Sequence, residues 1–249
     1  MLIGADRNGF FYDGTRPRGF FYETAQELEK FLNKKFKGMG KAIRIRVILI
    51  PAERDKLLPF LEQGVGDIAA AGLTITPERW EAVDFSDPIM TGVREIVVAN
   101  IREPRLTRLE DLSGRAVWVR RSSSYFQSMS RLNDNLQKAG LPLVAIHLAD
   151  EVLEDEDLME MVQAGIIPMT VVDDYKASFW AKVLDDIVLY QDIAVRQGGQ
   201  IAWAVRKGSP DFMKTVNEFI TTHKTGTLYG NIMLERYFKD TGCIKNPAV

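Results

Sequence analysis

A single cysteine and two histidines are all the thiol and imidazole metal ligands that the 249 residues offer. Cys243 alone cannot form an intrachain disulfide, so the composition neither requires nor excludes an oxidising compartment. His147 and His223 lie far apart in the chain without ligand-like neighbours; no Cys/His metal site is readable, and both read as surface or capping groups. Neither sign of charge is in excess. Lys and Arg number 32 against 34 Asp and Glu, so no overall basic field draws the chain to nucleic acid or anionic lipid. Long apolar runs are missing too: none reaches the roughly 18–20 residues that a membrane span needs. The opening MLIGADRNG lacks a signal-peptide pattern and runs straight into a strand-like segment and polar turn. A soluble protein, or a mature or excised piece of a longer one, is the expectation, and the uncapped ending IKNPAV favours excision.

What is present is ordinary for a globular chain, 46% hydrophobic and 27% charged residues, enough to bury one large core or two smaller ones. LIGA reads as a short buried strand, followed by a loop, DRNGFFYDGTRPRG, with too many turn residues to be regular. Phe21, Ala25, Leu28, Leu32 and Phe36 keep helical spacing as far as Lys37–Gly38. IRIRVIL (Ile43–Leu49) alternates as a half-buried strand does. DKLLPFLEQG reads as a helix bent or interrupted at Pro59, and DIAAAG as a buried strand ending at Gly72. REIVVANI (Arg94–Ile101) is a further strand. After the polar link REPRLTRLEDLSG a second series begins: strands AVWV, LVAIHL, MTVV and DIVLY alternate with helices over SYFQSMSRLNDNLQKAG, DEDLMEMVQAG and YKASFWAKVL. IAWAV (Ile201–Val205) is one more strand, and Pro210–Phe238 is helical.

Strands alternating with helices on short links imply mainly parallel sheets covered by helices. Two α/β lobes follow one another, with Arg94–Ile101 and Ile201–Val205 as the candidate connecting strands. A ligand cleft between two hinged lobes is the expectation from that layout, with boundaries of 1–97 plus 200–249 for the first lobe and 98–199 for the second.

The stretch GLTITPERWEAVDFSDP (Gly72–Pro88) carries the chemistry. Thr76 suits a helix N-cap, Pro77 the first helical position and Glu78 the first turn. The plainer reading stops there, with Arg79 a solvated helix residue. A strand end followed by hydroxyls and an arginine is also a carboxylate receptor: ligands of open α/β sheets lie beyond the carboxyl ends of the strands, and a guanidinium fork takes a carboxylate by two parallel hydrogen bonds. Gly72 lets backbone approach a ligand closely.

AAAGLTITPERWEAVDFSDPI resembles, almost residue for residue, the signature of the family 3 extracellular solute-binding proteins, the amino-acid-binding components of ABC importers. The resemblance extends over GFFYETAQELEKFL, LEDLSGRAVWV and KTGTLYGNIMLERYF, and departs at Ile89, where the family usually has an aromatic ring. It implies a type II periplasmic-binding-protein-like fold, two α/β lobes joined by two hinge strands. It implies that Thr74 and Arg79 bind a ligand carboxylate and that the Gly72 carbonyl binds its amine. Ser122, Ser123 and Ser124 stand where the family has a Gly-Thr-Thr stretch opening a helix; N–H groups and hydroxyls there suit an anion, and capping alone is the plainer reading. VVDDYKASFW matches the family's strand-then-aspartate, making Asp173 the expected ammonium partner, with Asp174 the alternative and a helix N-cap the plainer reading of either.

Three stretches, EDEDLMEMVQAGIIPMTVVDDYKASFW, VLYQDIAVRQGGQIAWAVRKGSPDFMKTVNEFI and KTGTLYGNIMLERYFKDTGCIKNP, are similar to the N-terminal sensor domain of the membrane-bound lytic transglycosylases of the F type. There a solute-binding-like domain precedes a lysozyme-like one that cleaves peptidoglycan. The Glu-Ser general acid and the Gly-Leu-Met-Gln stretch of that second domain do not occur here, and a transglycosylase needs a protonated acid at the glycosidic oxygen. A non-enzymatic binding domain without cofactor or nucleic-acid partner is therefore expected, in the periplasm, acting on a catalytic domain or, alternatively, an ABC permease. Asp6, Arg7 and Phe10 after the first strand, with Arg120 and Arg121 before the serines, suggest a ligand with more than one carboxylate, an amino acid or a stem-peptide fragment. For Phe11, Tyr12 and the four tryptophans, packing is the favoured reading. A third reading, by resemblance, is a periplasmic dehydratase of prephenate-like acids with Asp173 as general acid; the sequence gives no sign that its pKa is raised.

Overall fold

The computed structural model describes residues 1–37 and 44–241. Cys243, the ending IKNPAV, Gly38 and Ile43 lie outside them. The chain forms two compact units, Met1–Met90 with the segment from Ile201 onward, and Thr91–Gln200.

The first unit holds β1 (Leu2–Ile3), β2 (Phe11–Asp13), β3 (Arg16–Arg18), α1 (Phe20–Lys35), β4 (Ile50–Pro51), α2 (Leu57–Glu62), β5 (Ile68–Thr74), α3 (Pro77–Ala82) and β6 (Val83–Phe85). β1 pairs in parallel with β4 and β5. One-residue alternation sorts the core onto both faces of the sheet. Ile3, Ile68, Ala70, Trp203 and Val205 pack with Phe21, Leu28 and Phe219, while Leu2, Ala69, Ala71, Leu73, Ala202 and Ala204 pack with Leu57 and Leu61.

Four expectations are corrected here. The Gly-rich loop contains a regular hairpin, β2–β3; Asp13 pairs with Arg16, and Gly14 at φ 61° gives the two-residue turn Gly14-Thr15 the positive φ that such tight hairpins need. Residues 44–49 form no strand, because α1 captures their backbone: Asn33 bonds both the amide and the carbonyl of Ile45 at 3.0 and 2.9 Å, and the Glu29 carboxylate accepts from the Val47 amide at 3.0 Å. Pro59 does not interrupt α2, since it sits in the first turn, where its missing N–H has no helical partner. β5 runs through Gly72 to Thr74. Gly72 takes φ 62°, and the register against the neighbouring strand shifts between Ala202 and Ala204, so a bulge absorbs what reads in sequence as a strand end.

The second unit begins within β7 (Met90–Asn100) and contains β8 (Ala116–Arg120), α4 (Ser124–Lys138), β9 (Ala145–Ala149), α5 (Asp155–Gln163), β10 (Met169–Asp173), α6 (Asp174–Trp180) and most of β11 (Ile187–Arg206). Its sheet runs β11-β7-β10-β8-β9, with β10 antiparallel to β7 and β8 parallel to β9. Val97, Ala99, Val117, Val119, Met169 and Val171 pack against Tyr125, Met129 and Leu136 of α4.

DIVLY and IAWAV, read as separate strands, are one: the polar QDIAVRQGGQ between them stays extended, and β11 ends in the first unit, antiparallel to β5 and β6. The chain passes between units at 90/91 and 200/201, where the sequence reading drew 97/98 and 199/200. Glu95, Ile96 and Val97 pair with Asp173, Val172 and Val171 of β10, which assigns them to the second unit. The helical tail is two helices, α7 (Pro210–His223) and α8 (Leu228–Phe238). Among the described residues no helix is long and apolar enough to cross a membrane.

Candidate functional site

In the first unit the strand end and the following helix bring Thr74 and Arg79 together. Thr76 is extended and its hydroxyl accepts from the Arg79 amide at 3.3 Å, with Pro77 opening α3. That cap fixes the first turn and turns the Arg79 side chain back over the end of β5, where Nη1 donates to the Thr74 carbonyl at 2.8 Å. Thr74 is buried and Arg79 half-buried, so the cap forms as expected and Arg79 is not a fully solvated helix residue. Gly72 lies in the same strand, half-buried.

Asp6 is half-buried and pairs with Arg54 at 3.3 Å. Arg54, which sequence reasoning missed, also bonds the Ala71 carbonyl; its signal was an arginine just beyond the carboxyl end of a strand. Arg7 is exposed. Phe10 packs on the first unit's core and against Tyr12 and Tyr22, while Tyr12, expected in packing, is 60% exposed. Ile89 packs against the same core as Phe10.

In the second unit the serines are spoken for locally. Ser123 caps α4, accepting from the Phe126 amide at 3.2 Å. The Glu151 carboxylate accepts from both the amide (3.0 Å) and the hydroxyl (2.5 Å) of Ser122. Ser124 is buried in the first turn. An anion therefore sits at this helix start, as the dipole and exposed N–H groups favour, but it is the chain's own. Arg121 lies over the Phe126 ring at 5.2 Å. Arg120, expected at the ligand, is instead buried in an internal ion pair: its guanidinium meets Asp155 at 2.5 Å and the Leu153 carbonyl. Asp155 also takes Lys176 at 2.5 Å and the Tyr125 hydroxyl at 3.2 Å.

Beside this cluster lies Asp173, last residue of β10 and 1% exposed. It makes no side-chain cap bond to α6, and among the described residues its Oδ1 has no hydrogen-bond partner. Asp174, the alternative, is held by the Arg94 guanidinium at 3.0 Å. Burial pushes the Asp173 carboxyl up to about 7, against Lys176, which pulls it down; the Asp155 and Glu95 charges add to the rise. No feature of the sequence marks this rise; a buried, acid-rich setting disfavours the ionised form.

Two buried strand ends, Thr74 and Asp173, each followed by a short helix, belong to an α/β binding-protein class. The chain is a member of the bacterial extracellular solute-binding proteins, family 3, whose model matches residues 4–240. It is 28% identical to a membrane-bound lytic murein transglycosylase F of Desulfosudis oleivorans, over 96% of this chain and 48% of that protein. It is 28% identical to the one of Ectopseudomonas mendocina, over 92% and 43%. The chain thus spans about half the length of the curated relatives it matches. Among solved structures it is similar to a putative ABC-transporter binding component of Wolinella succinogenes complexed with lysine (TM-score 0.76, 21% identity, 98% of both chains). It also resembles an ancestral arginine-binding protein bound to arginine (0.73, 22%, 95% and 96%). An ancestral amino acid-binding protein described as a precursor of cyclohexadienyl dehydratase is a third (0.71, 26%, 96% and 95%). The fold is that of type II periplasmic binding proteins.

Proposed function

We propose that this chain is a non-catalytic periplasmic binding domain for a small zwitterionic molecule, an amino acid or a peptidoglycan stem-peptide fragment, and that it regulates a lytic transglycosylase domain of the full-length protein. The observation that carries the reading is the Arg79 guanidinium held over the end of β5 beside Thr74. A half-buried fork in that position takes a carboxylate by paired, charge-assisted bonds. Asp173, buried with an oxygen that lacks a partner, is the complementary group for an ammonium, with the Gly72 carbonyl as a further acceptor. Ser122–Ser124 join the carboxylate side once Glu151 is displaced. Arg120 is left out of the ligand set, being internally paired. Neighbours holding lysine and arginine support an amino-acid-like guest, and the relatives' names support the transglycosylase connection.

Titration calorimetry with L-arginine, L-lysine, L-glutamine and muropeptides tests the reading. Arg79→Ala should weaken the bound ligand by at least about 30-fold, the effect of removing one partner of a buried charge pair; unchanged affinity removes the carboxylate clamp. The importer alternative is separated by the gene: a reading frame continuing into a lysozyme-like domain supports the sensor, and a stop codon beside permease genes supports transport.

One observation favours a second reading, a dehydratase of prephenate-like acids. Asp173, with its carboxyl raised to about 7, carries a proton at the pH where a general acid must. Turnover of prephenate or arogenate, abolished in Asp173→Asn, would establish it.

A further inference from the structure

Directly opposite Asp173 on the antiparallel neighbour strand stands Glu95. It is the one acid in the otherwise apolar run from Glu95 to Ala99, it is 1% exposed, and both its carboxylate oxygens lack a hydrogen-bond partner. Among the described residues its ion-pair partner is Arg196, at 3.6 Å, and that Nη1 has no hydrogen-bond partner there either. Residues facing one another across an antiparallel pair project to the same side, with Cβ atoms about 4.5–5.5 Å apart. Two buried carboxyl groups therefore stand side by side, with three acceptor oxygens unsatisfied between them.

Buried charges are ordinarily paired and hydrogen-bonded, and leaving them unsatisfied is costly. The rest of the cluster follows that rule: Asp155 has Arg120, Lys176 and the Tyr125 hydroxyl, and Asp174 has Arg94. Glu95 and Asp173 are the pair that the protein's own donors leave short, in a setting where a donor-rich cation would complete both.

We propose that Glu95 is a second acidic contact for the ligand's cationic group: the carboxylates of Glu95 and Asp173 together accept N–H bonds from one ammonium or guanidinium, and so select ligands whose cation keeps several N–H donors. The inference rests on the binding reading above and adds a residue to it. A quaternary nitrogen brings the charge but no donor, and leaves the oxygens unsatisfied, so it is rejected.

Calorimetry on the whole chain decides it, with L-arginine, L-lysine, L-glutamine and a muropeptide digest as probes and the Nα-trimethyl betaines of the amino acids as the donor-free set. The wild type should bind a free amine at least 100-fold more tightly than its betaine. Glu95→Gln should lose about 10- to 100-fold for the free amine, in line with a lost charge-assisted bond, and most of its discrimination against the betaine. Because Glu95→Gln leaves Arg196 without its acid, the double variant Glu95→Gln/Arg196→Gln restores the charge balance and should show the same loss. Wild-type affinity in both variants, even with a lowered melting point, would make Glu95 a purely structural partner of Arg196 and overturn the proposal. If Arg79→Ala loses binding while Glu95→Gln does not, this inference alone falls. If no probe binds the wild type, or Arg79→Ala binds as well as wild type, the binding reading falls too.

Discussion

Asp173 shows how far a single side chain departs from what its letter promises. In the string VVDDY the two aspartates are indistinguishable, and only the paired strands reveal that one faces Arg94 and the other an acid-lined interior. The sign of its effect on stability follows. A folded-state pKa near 7, above the unfolded value near 4, means that the native state holds the extra proton between those values. The stability this contributes is fully present below about pH 4 and is lost as pH rises through 7, by on the order of a few kcal/mol. Asp173→Asn should therefore unfold at higher denaturant than wild type at pH 8 and lose that part of the slope between pH 4 and 7. Urea melts across the range read it; a parallel pair of curves would contradict the shift.

At the scale of elements, motif chemistry was legible and backbone continuity was not. TITPER gave the α3 cap correctly, because capping is a local matter of residue type and spacing. Thr76→Ala should lower stability by about 1 kcal/mol and, by loosening the turn that aims Arg79, weaken ligand as well. The misread segments share one cause. Whether 44–49 becomes a strand depends on Asn33 and Glu29 taking its backbone groups, and whether β11 is one strand or two depends on partners far away in sequence. The α7–α8 turn adds a steric test. A Cβ at Gly230 would lie 2.0 Å from the Lys224 carbonyl oxygen, so Gly230→Ala should destabilise by about 1–3 kcal/mol through forced backbone shifts, visible as a lower melting temperature.

For the molecule as a whole, the alternation of strand and helix was enough to foresee two α/β bodies, while the charged interior of the second was hidden: Glu95 and Arg196 look like surface residues until their strands are paired. Binding should stabilise the entire native state. Ligand at about 100 times its Kd adds about 2.7 kcal/mol, a rise in melting point that Arg79→Ala should lack. The first unit also has a peculiarity of assembly, since its sheet is finished by residues 201–206, set between β5 and β6, and its core by Phe219. When the chain emerges N-terminus first, in synthesis or in export, all of the second unit is out while the first still waits for its middle strand. The body encoded first is thus the last to be completed, and its unsealed apolar edges are what a chaperone would meet meanwhile.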